Sequence, residues 1–237
     1  MGFGLAHGRE LDTTGYGLTQ ADLPPFEVAR PEACRIDPRT WFEHPGRPLE
    51  IEIGSGKGTF LVQQAATHPE VNYLGIEHAG EFYRFAADRL RRRGMVNARV
   101  LHTDAAAFLH YWCPDAVARV IHLYFSDPWP KKRHHKRRVV QDASLRDMHR
   151  ALAPGGELRL VTDHDDLWAW YEVHASRCAD LFERCAFAGA ESAGGGELVG
   201  TNYERKFARE GRPFHAMTLL RRDRPAPGAA DQAAGPA

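Results

Sequence analysis

The sequence predicts an α/β fold: one doubly wound, mostly parallel sheet with helices on both faces. Three observations point there. Short runs rich in β-branched and aromatic residues alternate with helical stretches. A glycine-rich break directly follows the first of those runs. Acidic residues stand at the ends of the next three, where doubly wound sheets place their ligands.

Taken in order, residues 49–53 (LEIEI) form the first strand, Gly54-Ser55-Gly56-Lys57-Gly58 breaks it, and 59–67 reads as helix. The second strand is 72–76, followed by a helix over 80–93. The third is 98–102, with a helix behind it. Residues 119–125 (RVIHLYF) are a fourth strand by their β-branched and aromatic content. A helix over 139–153 stops at Pro154-Gly155-Gly156, and 157–162 forms the fifth strand. Another helix follows, then a short strand near 182–187, a Gly-rich loop at 194–196 and a last strand around 214–220. Residues 1–45, rich in Gly, Pro and Thr, read as a partly ordered N-terminal arm, 46–222 as a single α/β domain and 223–237 as a disordered tail.

Of 237 residues, 43% are hydrophobic and 26% charged, which argues against wholesale disorder. No apolar run approaches the ~20 residues of a membrane span, and no secretory signal pattern is visible at the N-terminus. The four cysteines, Cys34, Cys113, Cys178 and Cys185, form no C-x-x-C pair. That pattern fits reduced thiols in a cytoplasmic protein, with neither a disulfide framework nor a metal site. The formal net charge is +0, yet residues 131–138 read KKRHHKRR with no acid among them. The electrostatic footprint is local.

The loop Gly54-x-Gly56-x-Gly58 permits a tight turn and lets a ligand lie against bare backbone at a helix N-terminus. It is not a P-loop, since Ile51 stands where the first Gly is required and Gly58 where the hydroxyl residue is required. Thr59 is a mismatch to the dinucleotide fingerprint. With Glu52 ahead of it, the loop resembles the first motif of S-adenosylmethionine-dependent methyltransferases. Glu77 ends the second strand, where a carboxylate can accept ribose hydroxyls. Asp104 follows the third, placed for an adenine amine, and Asp127 follows the fourth. If Glu52 lies on a covered face it needs a cationic or donor partner, and the methionine ammonium would serve; on an edge strand it would simply face solvent. The basic run begins four residues after Asp127, at the mouth of the same crevice, where it can neutralise the phosphates of a nucleic-acid backbone.

Four segments together resemble the bacterial tRNA (guanine-N7-)-methyltransferase family: EIGSGKG from Glu52, DPWPKKRHHKRR from Asp127, the pair Thr162-Asp163, and TNYERK from Thr201. The resemblance covers residues 48–220. It implies a seven-stranded Rossmann-like methyltransferase sheet, S-adenosylmethionine as cofactor and the variable-loop guanine of tRNA, nucleotide 46, as target. It also implies that Glu52, Gly54, Gly56, Gly58, Glu77, Asp104 and Asp127 bind the cofactor. Asp127 is the implied catalytic residue, and Lys131, Asp163, Thr201, Asn202, Tyr203 and Glu204 the implied substrate contacts. Lys132, Arg133, Lys136, Arg137 and Arg138 are expected on the RNA backbone. Ser126 stands where the family usually has Pro, which questions the stiffness of that loop. Trp129 reads as loop filling, Trp168 and Trp170 as core, and Arg91 to Arg93 as complements of a helix dipole. The alternative reading is a methyltransferase of another RNA, of DNA or of a protein.

Overall fold

The computed structural model describes residues 8–223. Eight strands form one sheet: β1 (Gly17–Thr19), β2 (Leu49–Ile53), β3 (Asn72–Glu77), β4 (Ala98–His102), β5 (Ala118–Tyr124), β6 (Leu152–Thr162), β7 (Phe182–Cys185) and β8 (His215–Arg221). Their order is β1-β4-β3-β2-β5-β6-β8-β7, with β8 antiparallel to β6 and β7 and all other pairings parallel. The helices are α1 (Thr59–Thr67), α2 (Gly80–Arg92), α3 (Ala105–Ala107, continued by a π-helical turn Phe108–Trp112), α4 (Asp142–Ala151), α5 (Asp165–Arg177) and α6 (Asn202–Arg209).

Strands covered on both faces are mostly apolar, and β2 and β3 are buried throughout, although β2 carries Glu50 and Glu52. Alternate residues feed two cores. Tyr73 and Val100 face α1 and α2 through Leu61, Ala86 and Leu90. Leu74 and Leu101 face the other helices through Phe108, Trp112, Leu145 and Tyr171. The chain moves outward from β2 to β3 and β4, then returns to lay β5 on the other side of β2. That reversal opens a crevice at the carboxyl ends of the strands.

The sheet has one strand more than the expected seven, because Gly17 to Thr19 of the N-terminal segment pair with Val100 to His102. The same segment sends Leu23, Cys34 and Phe42 into the core, and Arg9 binds Asp88 of α2 at 2.8 Å. Arg91 and Arg92, expected to serve the helix dipole, also grip Asp88. The helix expected over 139–153 is shorter. Trp170 Nε1 donates to the Val140 carbonyl at 2.6 Å in the preceding loop, and Leu152 already pairs with Ala118. Helix α6 was not anticipated. The expected tail over 223–237 falls, beyond its first residue, outside the described residues. No described helix is long and apolar enough to cross a membrane.

Candidate active site

A cleft of about 1180 Å³ opens at the carboxyl ends of the strands flanking the reversal. The glycine loop forms its floor. Gly54, Gly56 and Gly58 have φ of 76°, 52° and 65°, the left-handed region that side chains disfavour. A Cβ on Gly58 would lie 3.0 Å from that of Ala86, so the loop packs tightly on α2. Gly56 instead faces the cleft, where a Cβ would meet only Tyr203 at 3.9 Å.

The strand-end acids converge there with different duties. Glu77 lines the cleft while its Oε2 accepts the Gly56 amide at 2.7 Å and its Oε1 the Ala79 amide at 2.8 Å. A carboxylate has about four acceptor sites, so capacity for a ribose remains. Asp104 caps α3 by accepting the Ala107 amide at 2.8 Å, and is exposed on the cleft wall. Glu52 lies on a central strand and is 5% exposed, which removes the solvent-facing alternative. Its Oε2 has no hydrogen-bond partner. Burial, and next the Glu77 carboxylate, push its carboxyl well above the usual range. Ser55 and Thr103 nearby also hold buried hydroxyls without partners. A buried carboxylate short of a donor, next to bare glycine backbone, fits an ammonium-bearing cofactor such as S-adenosylmethionine.

Asp127 is exposed on the cleft wall in a loop whose backbone is held from several sides. Phe125 and Trp129 adopt φ of 53° and 42°, conformations that cost energy and persist only where the surroundings enforce them. Ser126 Oγ bonds the Tyr171 hydroxyl at 2.8 Å, so a polar tie stands where the family's Pro would stiffen the chain. Arg138 Nε donates to the Pro128 carbonyl at 2.9 Å, its guanidinium pairs with Asp166, and it lies 5.0 Å over the Trp170 ring.

Arg138 is 3% exposed, and this corrects its expected RNA contact: its donors clamp the loop from inside. Lys131, Lys132, Arg133, Lys136 and Arg137 are exposed, and no carboxylate pairs with them among the described residues. Trp129 is half-buried on the cleft wall, with Arg137 4.9 Å over its ring and His134 edge-on at 5.8 Å.

Asp163 follows β6, lines the cleft and accepts from Arg212 at 2.7 Å. Of the TNYE segment, Tyr203 faces the cleft. Burial, then the carboxylates of Glu77 and Asp127, push its hydroxyl up. The other three fix α6 in place. Thr201 Oγ1 caps the helix by accepting the Glu204 amide at 3.0 Å, and Asn202 Nδ2 donates to Thr59 Oγ1 at 2.8 Å. Glu204 is 2% exposed and accepts the amides of Leu198, Val199 and Gly200. That use of its oxygens corrects the expectation that Glu204 meets substrate.

The Methyltransf_4 family model, described as "Putative methyltransferase", matches residues 46–217. A tRNA (guanine-N(7)-)-methyltransferase of Alkalilimnicola ehrlichii is 38% identical over 85% of this chain and 84% of its own. One from Geobacillus kaustophilus is 34% identical over 85% and 91%. The chain belongs to the tRNA (guanine-N7-)-methyltransferase family. Among solved structures, the aminoglycoside resistance methyltransferase NpmB1 superposes with a TM-score of 0.53 at 20% identity, covering 74% of this chain and 88% of its own. The [4+2]-cyclase SpnF gives 0.50 at 17% identity over 76% and 77%. These two share the fold alone.

In this member of the tRNA (guanine-N7-)-methyltransferase family, sequence reasoning missed the inward role of Arg138 and the wall formed by Phe207 and Arg212. Arg212 lies 4.4 Å over the Phe207 ring while it holds Asp163. A readable signal existed: Thr201-x-x-Glu204 is a helix-start pattern, and Tyr203 and Phe207 stand one turn apart on the helix it begins. Among the described residues no cluster of His, Cys, Asp and Glu could hold a metal.

Proposed function

We propose that this protein methylates N7 of the guanine at nucleotide 46, in the variable loop of tRNA, in the cytoplasm. The observation that carries the reading is one cleft lined by the glycine loop, Glu77, Asp104 and an exposed Asp127, with the buried Glu52, one oxygen unpartnered, directly behind that loop, and bordered by a basic strip without acid partners among the described residues. S-adenosylmethionine, when bound, supplies a methyl group activated by a positive sulfonium. Glu52 would take its ammonium, Glu77 its ribose and Asp104 its adenine, with Gly54, Gly56 and Gly58 admitting it against backbone.

Guanine N7 carries a lone pair and no proton, so no side chain has to act as general base. What the protein must do is hold N7 in line and favour the positive charge that grows on the purine. Asp127 and Asp163 are the carboxylates on the cleft wall for that task, accepting from the guanine N1 and amino groups. Arg212 fixes Asp163, and Arg138, Ser126 and Tyr171 fix the Asp127 loop. Lys131, Lys132 and Arg133 receive phosphates outside the cleft, and Lys136 and Arg137 at its border. Incubating unmodified tRNA with methyl-labelled donor and analysing the nucleosides tests this reading. Label in 7-methylguanosine supports it, and label in any other nucleoside overturns it.

A further inference from the structure

The cleft is larger than one cofactor and one base require. Small-molecule pockets commonly run to about 300–1,000 Å³, and this one, at about 1180 Å³, extends past Asp104 into a lobe between α3 and α4. His110 and Tyr111 form one wall, Gln141 and Asp147 the other, and Lys136 and Arg137 border it from the basic segment. None of these six is among the residues proposed above to hold the cofactor.

The lobe is a built surface. The π-helical turn Phe108–Trp112, closed by the Cys113 amide on the Phe108 carbonyl at 2.9 Å, presents His110 and Tyr111 side by side. Such turns recur at functional sites. Tyr111 is half-exposed, and its hydroxyl makes no hydrogen bond among the described residues. Phe26 of the N-terminal segment packs on its ring at 4.7 Å, and His110 meets it edge-on at 4.7 Å. His110 is itself steadied by Asp147, 3.0 Å from its Nδ1. The N-terminal segment is tied down here: Trp112 Nε1 donates to the Pro24 carbonyl at 2.8 Å, and the Ile36 amide to the Trp112 carbonyl at 2.9 Å. The result is a fixed aromatic platform beside two cations that have no carboxylate partner. Positive side chains along a groove with a stacking ring are the means by which proteins hold single-stranded nucleic acid.

The path of the chain joins this lobe to the proposed methylation site. The chain lines the cleft from Phe125 to Trp129, leaves it over residues 130–135 and returns to it at Lys136 and Arg137, shortly before Gln141. A polynucleotide following that segment with its phosphates would bring one base to Asp127 and offer the next to Tyr111.

We propose that the lobe between α3 and α4 is a second nucleotide subsite, in which the base adjoining the target guanine stacks on Tyr111 and its phosphate meets Lys136 and Arg137. The inference rests on the tRNA reading above. Its test is a cycle with full-length protein and two tRNA transcripts, one intact and one abasic at the nucleotide next to the target guanine. Tyr111→Ala raises KM for intact tRNA about tenfold, while Tyr111→Phe stays near wild type. The abasic transcript raises the wild-type KM by a similar factor, and Tyr111→Ala adds nothing further on it. The Kd for S-adenosylmethionine is unchanged in both variants. If wild type methylates tRNA but Tyr111→Ala does so equally well, or if the two losses multiply, the subsite is refuted and the tRNA reading stands. A weakened cofactor Kd in Tyr111→Ala would assign the ring to the cofactor pocket and overturn the subsite. Absence of tRNA methylation by wild type would overturn both.

Discussion

Glu77 ends β3 and Glu52 stands one residue before the end of the neighbouring β2, beside the same glycine loop, and one is satisfied while the other is not. Glu77 takes the amides of Gly56 and Ala79. Glu52, buried beside it, has an oxygen with no donor, and the Glu77 charge raises its proton affinity further. The arrangement is costly for the free protein and useful for holding a cation.

Glu52→Gln therefore separates stability from binding. Because the folded-state pKa of Glu52 is raised, folded protein keeps a proton that the unfolded chain has lost, and stability falls as pH rises above the ordinary carboxylate range. The amide removes that slope and gains about 1–2 kcal/mol at pH 7, or ~2–4 °C in Tm per kcal/mol for a chain of this size. The same change weakens the Kd for S-adenosylmethionine at least tenfold, by loss of a charge-assisted hydrogen bond. Thermal melts and calorimetric titration of the variant check both halves.

Cofactor binding should also release protons. An arriving ammonium favours the ionised form of Glu52 and lowers the pKa that burial had raised. Affinity then increases with pH until free Glu52 is itself ionised. Titrations in buffers of different ionisation enthalpy at one pH read the proton directly, and uptake in place of release would contradict the assignment.

A second buried acid sets the acid limit of stability. Burial works to raise the carboxyl of Glu50, but His122 and Arg119 hold it down to about 2. His122 Nε2 meets Glu50 at 2.8 Å and its Nδ1 meets the Tyr124 hydroxyl at 2.7 Å. Burial keeps this imidazole neutral, with its pKa below the usual value, so it serves as an N–H donor and Arg119 as the permanent cation. The lowered Glu50 contributes stability that is complete above the unfolded carboxylate value and is lost as pH falls toward about 2. His122, its pKa lowered by burial, adds a loss that begins below pH ~6.5, where the unfolded chain gains a proton more readily than the folded one. Urea midpoints should therefore begin to fall below pH ~6.5 and fall further from the unfolded carboxylate value toward about 2, and Glu50→Ala should cost roughly 3 kcal/mol at pH 7.

The two kinds of arginine and lysine in the basic segment should part kinetically. Arg138→Ala frees the Pro128 carbonyl and Asp166, and so loosens the loop that carries Asp127. A displacement of about 1 Å can cost 10²-fold, so kcat falls at least tenfold while KM for tRNA changes little. Lysine does not rescue it, lacking the planar fork and the stacking on Trp170. Lys132→Ala instead raises KM and makes the salt dependence of binding shallower by about one counterion. Steady-state kinetics at several salt concentrations distinguish the two.

The fold was legible because its signals are local and repeated. Period and composition placed LEIEI, NYLGI and RVIHLYF as strands, and glycines placed the first turn. The edge strand Gly17–Thr19 was hidden, since three residues carry no period and owe their pairing to β4 alone. At the site, residues whose chemistry faces outward were found in the sequence: Glu77, Asp104, Asp127, Asp163 and Tyr203 all line the cleft. Those turned inward were not. Nothing in KKRHHKRR distinguishes its last arginine, which pairs with Asp166 and stacks on Trp170. Likewise TNYE does not say that its Glu204 will be taken up by the backbone of residues 198–200. Both depend on partners that only the folded chain brings near.

The most direct measurement uses a tRNA transcript carrying 7-deazaguanosine at nucleotide 46, compared with the unmodified transcript under methyl-labelled donor. The account predicts full labelling of the unmodified transcript and none of the substituted one, because the single atom that accepts the methyl group has been replaced by carbon. Equal labelling of both would contradict it.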